Sequence, residues 1–143
     1  MKKRILVIDD DLALRPHWEF LLKKQFVDFH LDWAVSSEEA KKQIHSSIKF
    51  QSPYSFIVAD IFLAGEETGL DFVEYKNQIL PKVPLIVVSS AAVEHVRSRF
   101  SDLLADTLMI EKPLTSEKCT EAFEKLFSDS EKVPADFLRP TAD

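Results

Sequence analysis

The chain has 143 residues, 45% of them hydrophobic, and a formal net charge of −6 at pH 7, which fits one domain with a real core and argues against a general nucleic-acid binder or a protein drawn to anionic membranes. Cys119 is the only cysteine, so no intrachain disulfide can form, and MKKR followed by four aliphatics is too short for a signal peptide. No stretch approaches the roughly 20 apolar residues that a spanning helix needs, so a soluble cytoplasmic protein is expected.

The first predicted strand, RILVID (4–9), runs straight into Asp9-Asp10-Asp11. Adjacent carboxylates repel, and at the edge of a core they lose hydration, so the triplet calls for a counter-charge, most simply a metal ion. A helix is predicted over 12–26, with Leu14, Trp18, Leu21, Leu22 and Phe26 on one face. Pro16 is tolerable only in its first turn or two, so this helix starts late or bends there. HLDWAV (30–35) is the second strand, and Ser36 with Glu39 forms a capping box that opens the helix SSEEAKKQIHSSI. The connection KFQSPYS (49–55) is long and carries no evident chemistry.

SFIVAD (55–60) is the third strand and ends in Asp60; a helix over 70–79 follows. PLIVVSS (84–90) ends in Ser89-Ser90 and leads to a helix over 92–104 bearing Val93, Val96 and Phe100. TLMIE (107–111) runs into Lys112-Pro113, and the last helix, from Thr115, has Cys119, Ala122, Phe123, Leu126 and Phe127 at clean helical spacing. Cys119 reads as plain core on that face. Beyond Phe127 the sequence is polar and aperiodic, and the expected organisation is one domain over 1–128 with a tail over 129–143 and no output domain.

Three of the strands (ILVI, FIVA and LIVV) are continuously apolar, the pattern of strands buried on both faces. Five of them alternating with five helices predict an α/β doubly wound parallel sheet. In such sheets ligands sit outside the carboxyl ends of the strands. Those ends carry Asp9, Asp10 and Asp11, then Asp60, then Ser89, then Lys112. Each alone has an ordinary reading: Asp11 as a helix cap, Asp60 as a turn residue, Ser89 as a loop hydroxyl, Lys112 as a surface lysine. Together, from four strands at one rim, they point to chemistry.

The motifs ILVIDDD, FIVADIFLAGEETGLDF, PLIVVSSAA and MIEKPLT resemble those of receiver domains from bacterial two-component response regulators, over roughly residues 3–128. The resemblance implies the flavodoxin-like strand order 2-1-3-4-5. It implies Asp60 as phosphoacceptor, Ser89 as the switch hydroxyl and Lys112 as the lysine that meets the phosphoryl group. It also implies Mg2+ held by Asp9, Asp10, Asp60 and the backbone carbonyl of Phe62, and a cis Lys112–Pro113 bond. The partner would be a sensor histidine kinase or a phosphotransfer protein; the downstream protein is not named by the resemblance. No nucleic acid is bound directly, and a monomer or a phosphorylation-dependent dimer is expected. Such a domain is no enzyme beyond its own phosphorylation and dephosphorylation. The surface switched would be that of the fourth helix, the fifth strand and the last helix, roughly 92–127.

The sequence departs from the family pattern in places. Met109 stands where an aromatic residue is usual, so a ring flip cannot report activation. Ala64 replaces a common proline, and the loop before Gly69 is one residue longer. Both glycines of the chain, Gly65 and Gly69, fall in this loop. Phe62 and Ala91 stand where polar groups often orient the hydrolytic water, which implies slow self-dephosphorylation. His17, His30, His45 and His95 show no metal-ligand spacing. A receiver-like scaffold that is never phosphorylated is the competing reading. An FMN protein would need a hydroxyl- and glycine-rich loop after strand one, and a haloacid-dehalogenase-type phosphatase would need Thr or Val where Ala13 stands.

Overall fold

A computed structural model describes residues 2–61, 69–104 and 107–130. Phe62, Ala64, Gly65 and the tail from 131 onward lie outside them. The strands are β1 (Lys3–Ile8), β2 (Phe29–Ala34), β3 (Phe56–Asp60), β4 (Leu85–Ser89) and β5 (Leu108–Glu111). All pair in parallel, in the order β2-β1-β3-β4-β5. The helices are α1 (Arg15–Gln25), α2 (Ser37–Lys49), α3 (Gly69–Ile79), α4 (Val93–Arg99), α5 (Ser101–Leu104) and α6 (Ser116–Ser130).

Alternate strand residues feed two cores, which is why the strands read as unbroken apolar runs. Ile5, Val7, Phe56, Val58, Ile86 and Val88 pack with Trp18, Leu22 and Phe123 under α1 and α6. Leu6, Ile8, Ile57, Ala59, Leu85 and Val87 pack with Ile44, Phe72 and Val96 on the opposite face. Phe26, Phe56, Phe123 and Phe127 form an aromatic cluster, with Phe26 and Phe123 centroids 5.5 Å apart. Cys119 sits in that first core at 1% exposure, and burial pushes its thiol up to about 11, so it is no nucleophile.

Local signals act where the sequence placed them. Asp11 caps a 3-10 turn over Leu12–Leu14, its carboxylate accepting the Ala13 N–H at 3.1 Å. α1 starts only at Arg15, which keeps Pro16 in its first turn. Ser36 Oγ accepts the Glu39 N–H at 3.1 Å, and Thr115 Oγ1 accepts that of Lys118 at 3.2 Å. Two boundaries differ from expectation. The helix predicted over 92–104 breaks at Phe100, whose φ of −126° and ψ of 42° are not helical. Arg97 donates across that break to the carbonyls of Leu104 (2.8 Å) and Thr107 (3.0 Å). α6 runs to Ser130, taking in the first two residues of the expected tail. Among the described residues no helix is long and apolar enough to cross a membrane.

Candidate functional site

β1 has neighbours β2 on one side and β3 on the other, so strand order reverses at the carboxyl ends of β1 and β3. Asp9 and Asp10 leave β1 there, and Asp60 is the last residue of β3. One oxygen from each of Asp9, Asp10 and Asp60 lies within 4.8 Å of the others. Asp9 and Asp60 are buried, at 3% and 5% exposure, whereas Asp10 is exposed.

Asp9 is held from both sides of its backbone. Its N–H donates to the Ala34 carbonyl at 2.9 Å, and its own carbonyl accepts the Trp33 Nε1–H at 3.0 Å. Its side chain accepts the Asp11 N–H at 2.9 Å. Burial pushes this carboxyl above its ordinary 3.8; the Asp11 hydrogen bond and Lys112 pull it back, and the charges of Asp60 and Asp10 add to the rise.

Lys112 brings the opposite charge from the end of β5. Its Nζ donates to Asp60 Oδ2 at 2.9 Å and lies 3.8 Å from Asp9 Oδ2. Burial works against the ammonium, but the Asp60 hydrogen bond and the charges of Asp60, Asp9 and Asp10 together raise its pKa above 10.5. The cis Lys112–Pro113 bond follows, as the resemblance implied. The Lys112 N–H also donates to the Ser89 carbonyl at 2.7 Å, which joins the end of β4 to the lysine's backbone.

Ser89 is fully buried and stands one residue past Val88, the register partner of Asp60. Its Oγ accepts the Ala91 N–H at 3.0 Å. The structure therefore brings Asp9, Asp10, Asp60 and Lys112 into one cluster with Ser89 on the adjoining strand end. Met109 is half-buried against the core below α4. His95 is exposed, while His30 Nε2–H donates to Asp32 Oδ1 at 2.8 Å, far from this rim.

Two supports of the site were not singled out from the sequence. One is the Trp33 indole on Asp9. The other is the closeness of Gly69 to the Asp60 backbone: a Cβ at Gly69 would stand 2.3 Å from the Asp60 carbonyl oxygen and 2.3 Å from Ile61 Cα. Gly69 N–H donates to the Ile61 carbonyl at 3.2 Å, so the start of α3 rests directly on the strand end that carries Asp60.

The donor set fits a hard divalent cation. It is all oxygen, and three carboxylates against one lysine leave two negative charges uncompensated, in part on a buried Asp9.

No protein-family model matches the chain, and no curated protein matches it in sequence. Solved structures do match. A CheY-like response regulator receiver domain protein from Methanospirillum hungatei shares 21% identity at a TM-score of 0.74, covering 92% of this chain and 98% of its own. The response regulator TrrA from Thermotoga maritima, solved in complex with Mg(2+)-BeF, shares 27% at a TM-score of 0.70, covering 87% and 98%. The non-phosphorylated receiver domain of HemR from Leptospira biflexa shares 22% at 0.70, covering 88% and 94%. The sheet order and the near-complete coverage agree: this chain has the fold of CheY-like response regulator receiver domains.

Proposed function

We propose that this chain is a phosphoacceptor in two-component signalling, with the receiver running to the end of α6 at Ser130 and residues 131–143 as a tail. Asp60 takes the phosphoryl group from a histidine kinase or a phosphotransfer protein in the cytoplasm. The observation that carries this reading is the Lys112 ammonium 2.9 Å from Asp60, beside a three-carboxylate cluster at the sheet's switch point. The complex of the Thermotoga protein with Mg(2+)-BeF supports the metal assignment by similarity.

Asp9, Asp10 and Asp60, with the carbonyl of Phe62, would hold Mg2+. When bound, it offsets the charge on the phosphoryl oxygens during transfer. The Asp60 carboxylate attacks phosphorus in line; the new P–O bond forms as the P–N bond to the donor imidazole breaks, and the imidazole leaves with the electron pair. Lys112 pairs with a phosphoryl oxygen and thereby leaves its present contact with Asp60. Ser89 exchanges its Ala91 N–H bond for a donor role toward the phosphoryl group, pulling on the 89–91 segment. That segment leads into α4, whose first N–H, from Val93, donates to Glu111 of β5 at 3.2 Å. Charge added at Asp60 is thus transmitted to the α4–β5–α6 surface, where a downstream protein or a second copy binds.

Intact-mass measurement after incubation with phosphoramidate tests this. One phosphoryl group should be gained with Mg2+, and none with EDTA or in Asp60→Asn. Folded protein that gains nothing from phosphoramidate or from any phosphohistidine donor would leave an unphosphorylated interaction scaffold as the better reading.

A further inference from the structure

Asp9 leaves β1 with both of its backbone polar groups bound by consecutive residues of β2: the Ala34 carbonyl accepts its N–H at 2.9 Å, and the Trp33 indole donates to its carbonyl at 3.0 Å. The Trp33 ring is 5% exposed and belongs to the same core as Trp18 and Leu22. A buried indole N–H and a carbonyl that has left the sheet each need a partner, and here each supplies the other's. Two residues on, the Asp11 N–H donates to the Asp9 carboxylate at 2.9 Å. The peptide units on either side of the Asp10 Cα are thereby both pinned, one at the Asp9 carbonyl and the other at the Asp11 N–H. Asp10 itself is exposed, so packing does not fix its carboxylate, and the direction of that carboxylate follows from the main chain.

We propose that Trp33 is a positioning residue for the metal site: through the Asp9 carbonyl its indole N–H aims the Asp10 carboxylate and so sets the site's selectivity for Mg2+ against Ca2+. This rests on the Mg2+ site of the function proposed above. The two cations differ in what they tolerate. Mg2+ demands near-ideal octahedral oxygen geometry, whereas Ca2+ accepts a larger and more variable oxygen shell. A carboxylate whose main chain can swing therefore weakens Mg2+ binding more than Ca2+ binding. Groups that orient a metal ligand without touching the metal are commonly worth about ten- to a hundredfold in affinity. An aromatic residue that merely filled the core would leave the ratio of the two affinities alone.

Trp33→Phe keeps an aromatic ring and loses the N–H; Trp18→Phe makes the same change at the other tryptophan of that core. Calorimetric titration of the unphosphorylated full-length protein with MgCl2, and separately with CaCl2, gives a Kd for each cation, and unfolding in EDTA establishes that each variant is folded. Trp33→Phe should weaken Mg2+ about tenfold and Ca2+ about twofold at most, while Trp18→Phe keeps the wild-type ratio. A folded Trp33→Phe protein with the wild-type ratio would overturn the proposal, and so would an equal change of ratio in Trp18→Phe. Should Trp33→Phe not fold, 3-benzothienyl-alanine at position 33, which keeps the fused ring and has sulfur in place of the N–H, gives the same comparison. Wild-type protein that binds no Mg2+ would instead strike the metal reading itself, and this inference with it.

Discussion

Replacing Asp9 by Asn removes the most deeply buried charge of the rim while keeping its shape. Asp9 lies within 4.8 Å of a carboxylate oxygen of both Asp10 and Asp60 and 3.8 Å from the Lys112 ammonium. At an effective dielectric of about 20 each carboxylate repels by about 3.5 kcal/mol, and Lys112 attracts by about 4 kcal/mol. Solvent screens the exposed Asp10, so attraction does not exceed repulsion, and desolvation of a carboxylate at 3% exposure adds to the side that disfavours the ionised form. Without metal, Asp9→Asn should therefore be more stable than wild type at pH 7.5 by about 1 kcal/mol, the low end of what replacing buried ions returns. Because the carboxyl is raised in the fold, its contribution to stability is present below 3.8 and is lost as the pH climbs through the raised value. The advantage of the variant should accordingly shrink toward acid. Mg2+ should reverse the ranking: at a hundredfold excess over its Kd it stabilises wild type by about 2.7 kcal/mol, roughly 10 °C in Tm, and the variant by far less. Thermal unfolding in EDTA and in Mg2+, across pH 4 to 8, measures all of this. A variant less stable than wild type in EDTA at pH 7.5 would refute the claim that Asp9 is a burden which the cation relieves.

Gly69→Ala puts a methyl group 2.3 Å from the Asp60 carbonyl oxygen; a loss of about 2 kcal/mol or more is expected in denaturant unfolding despite alanine's better helix propensity, together with slower phosphorylation, and unchanged values would disprove the contact. Asp32 accepts from Tyr54 at 2.7 Å and from Arg4 at 3.0 Å and pairs with His30, and although burial opposes the charge these partners hold its carboxyl below 3.8. Its stabilisation is present above 3.8 and lost as the pH falls through the lowered value, so Asp32→Asn should cost about 2 kcal/mol at pH 7 and little in strong acid; equal losses at both would contradict the charge-based account. Ala91→Glu supplies a polar side chain beside Ser89, and the phosphorylated protein should then lose its phosphoryl group several times faster than wild type; an unchanged half-life would show that Ala91 does not set it.

Much of this was legible because one-dimensional pattern carried it. Runs such as ILVI and FIVA read as strands covered on both faces, and the rim residues followed from asking what stands at each strand end. What the sequence hid were contacts across space with no period. Nothing local marks Trp33 as the donor to Asp9, and although the placement of Gly69 suggests a backbone position that other residues would resist, its close neighbours Asp60 and Ile61 emerge only when α3 is seen resting on them. Arg4, His30, Asp32 and Tyr54 converge only once β1, β2 and the entry to β3 are assembled, with Arg4 also bonding the Ser52 carbonyl. The break at Phe100 was masked by a helical pattern that continues past it.

The central claim is that Asp60 itself carries the phosphoryl group. After phosphorylation with Mg2+, borohydride reduces an aspartyl phosphate to homoserine, and peptide mass spectrometry then locates the reduced residue. Homoserine at position 60 and nowhere else is the predicted result. Homoserine at Asp9 or Asp10, or a phosphorylated protein with no homoserine at all, would contradict it.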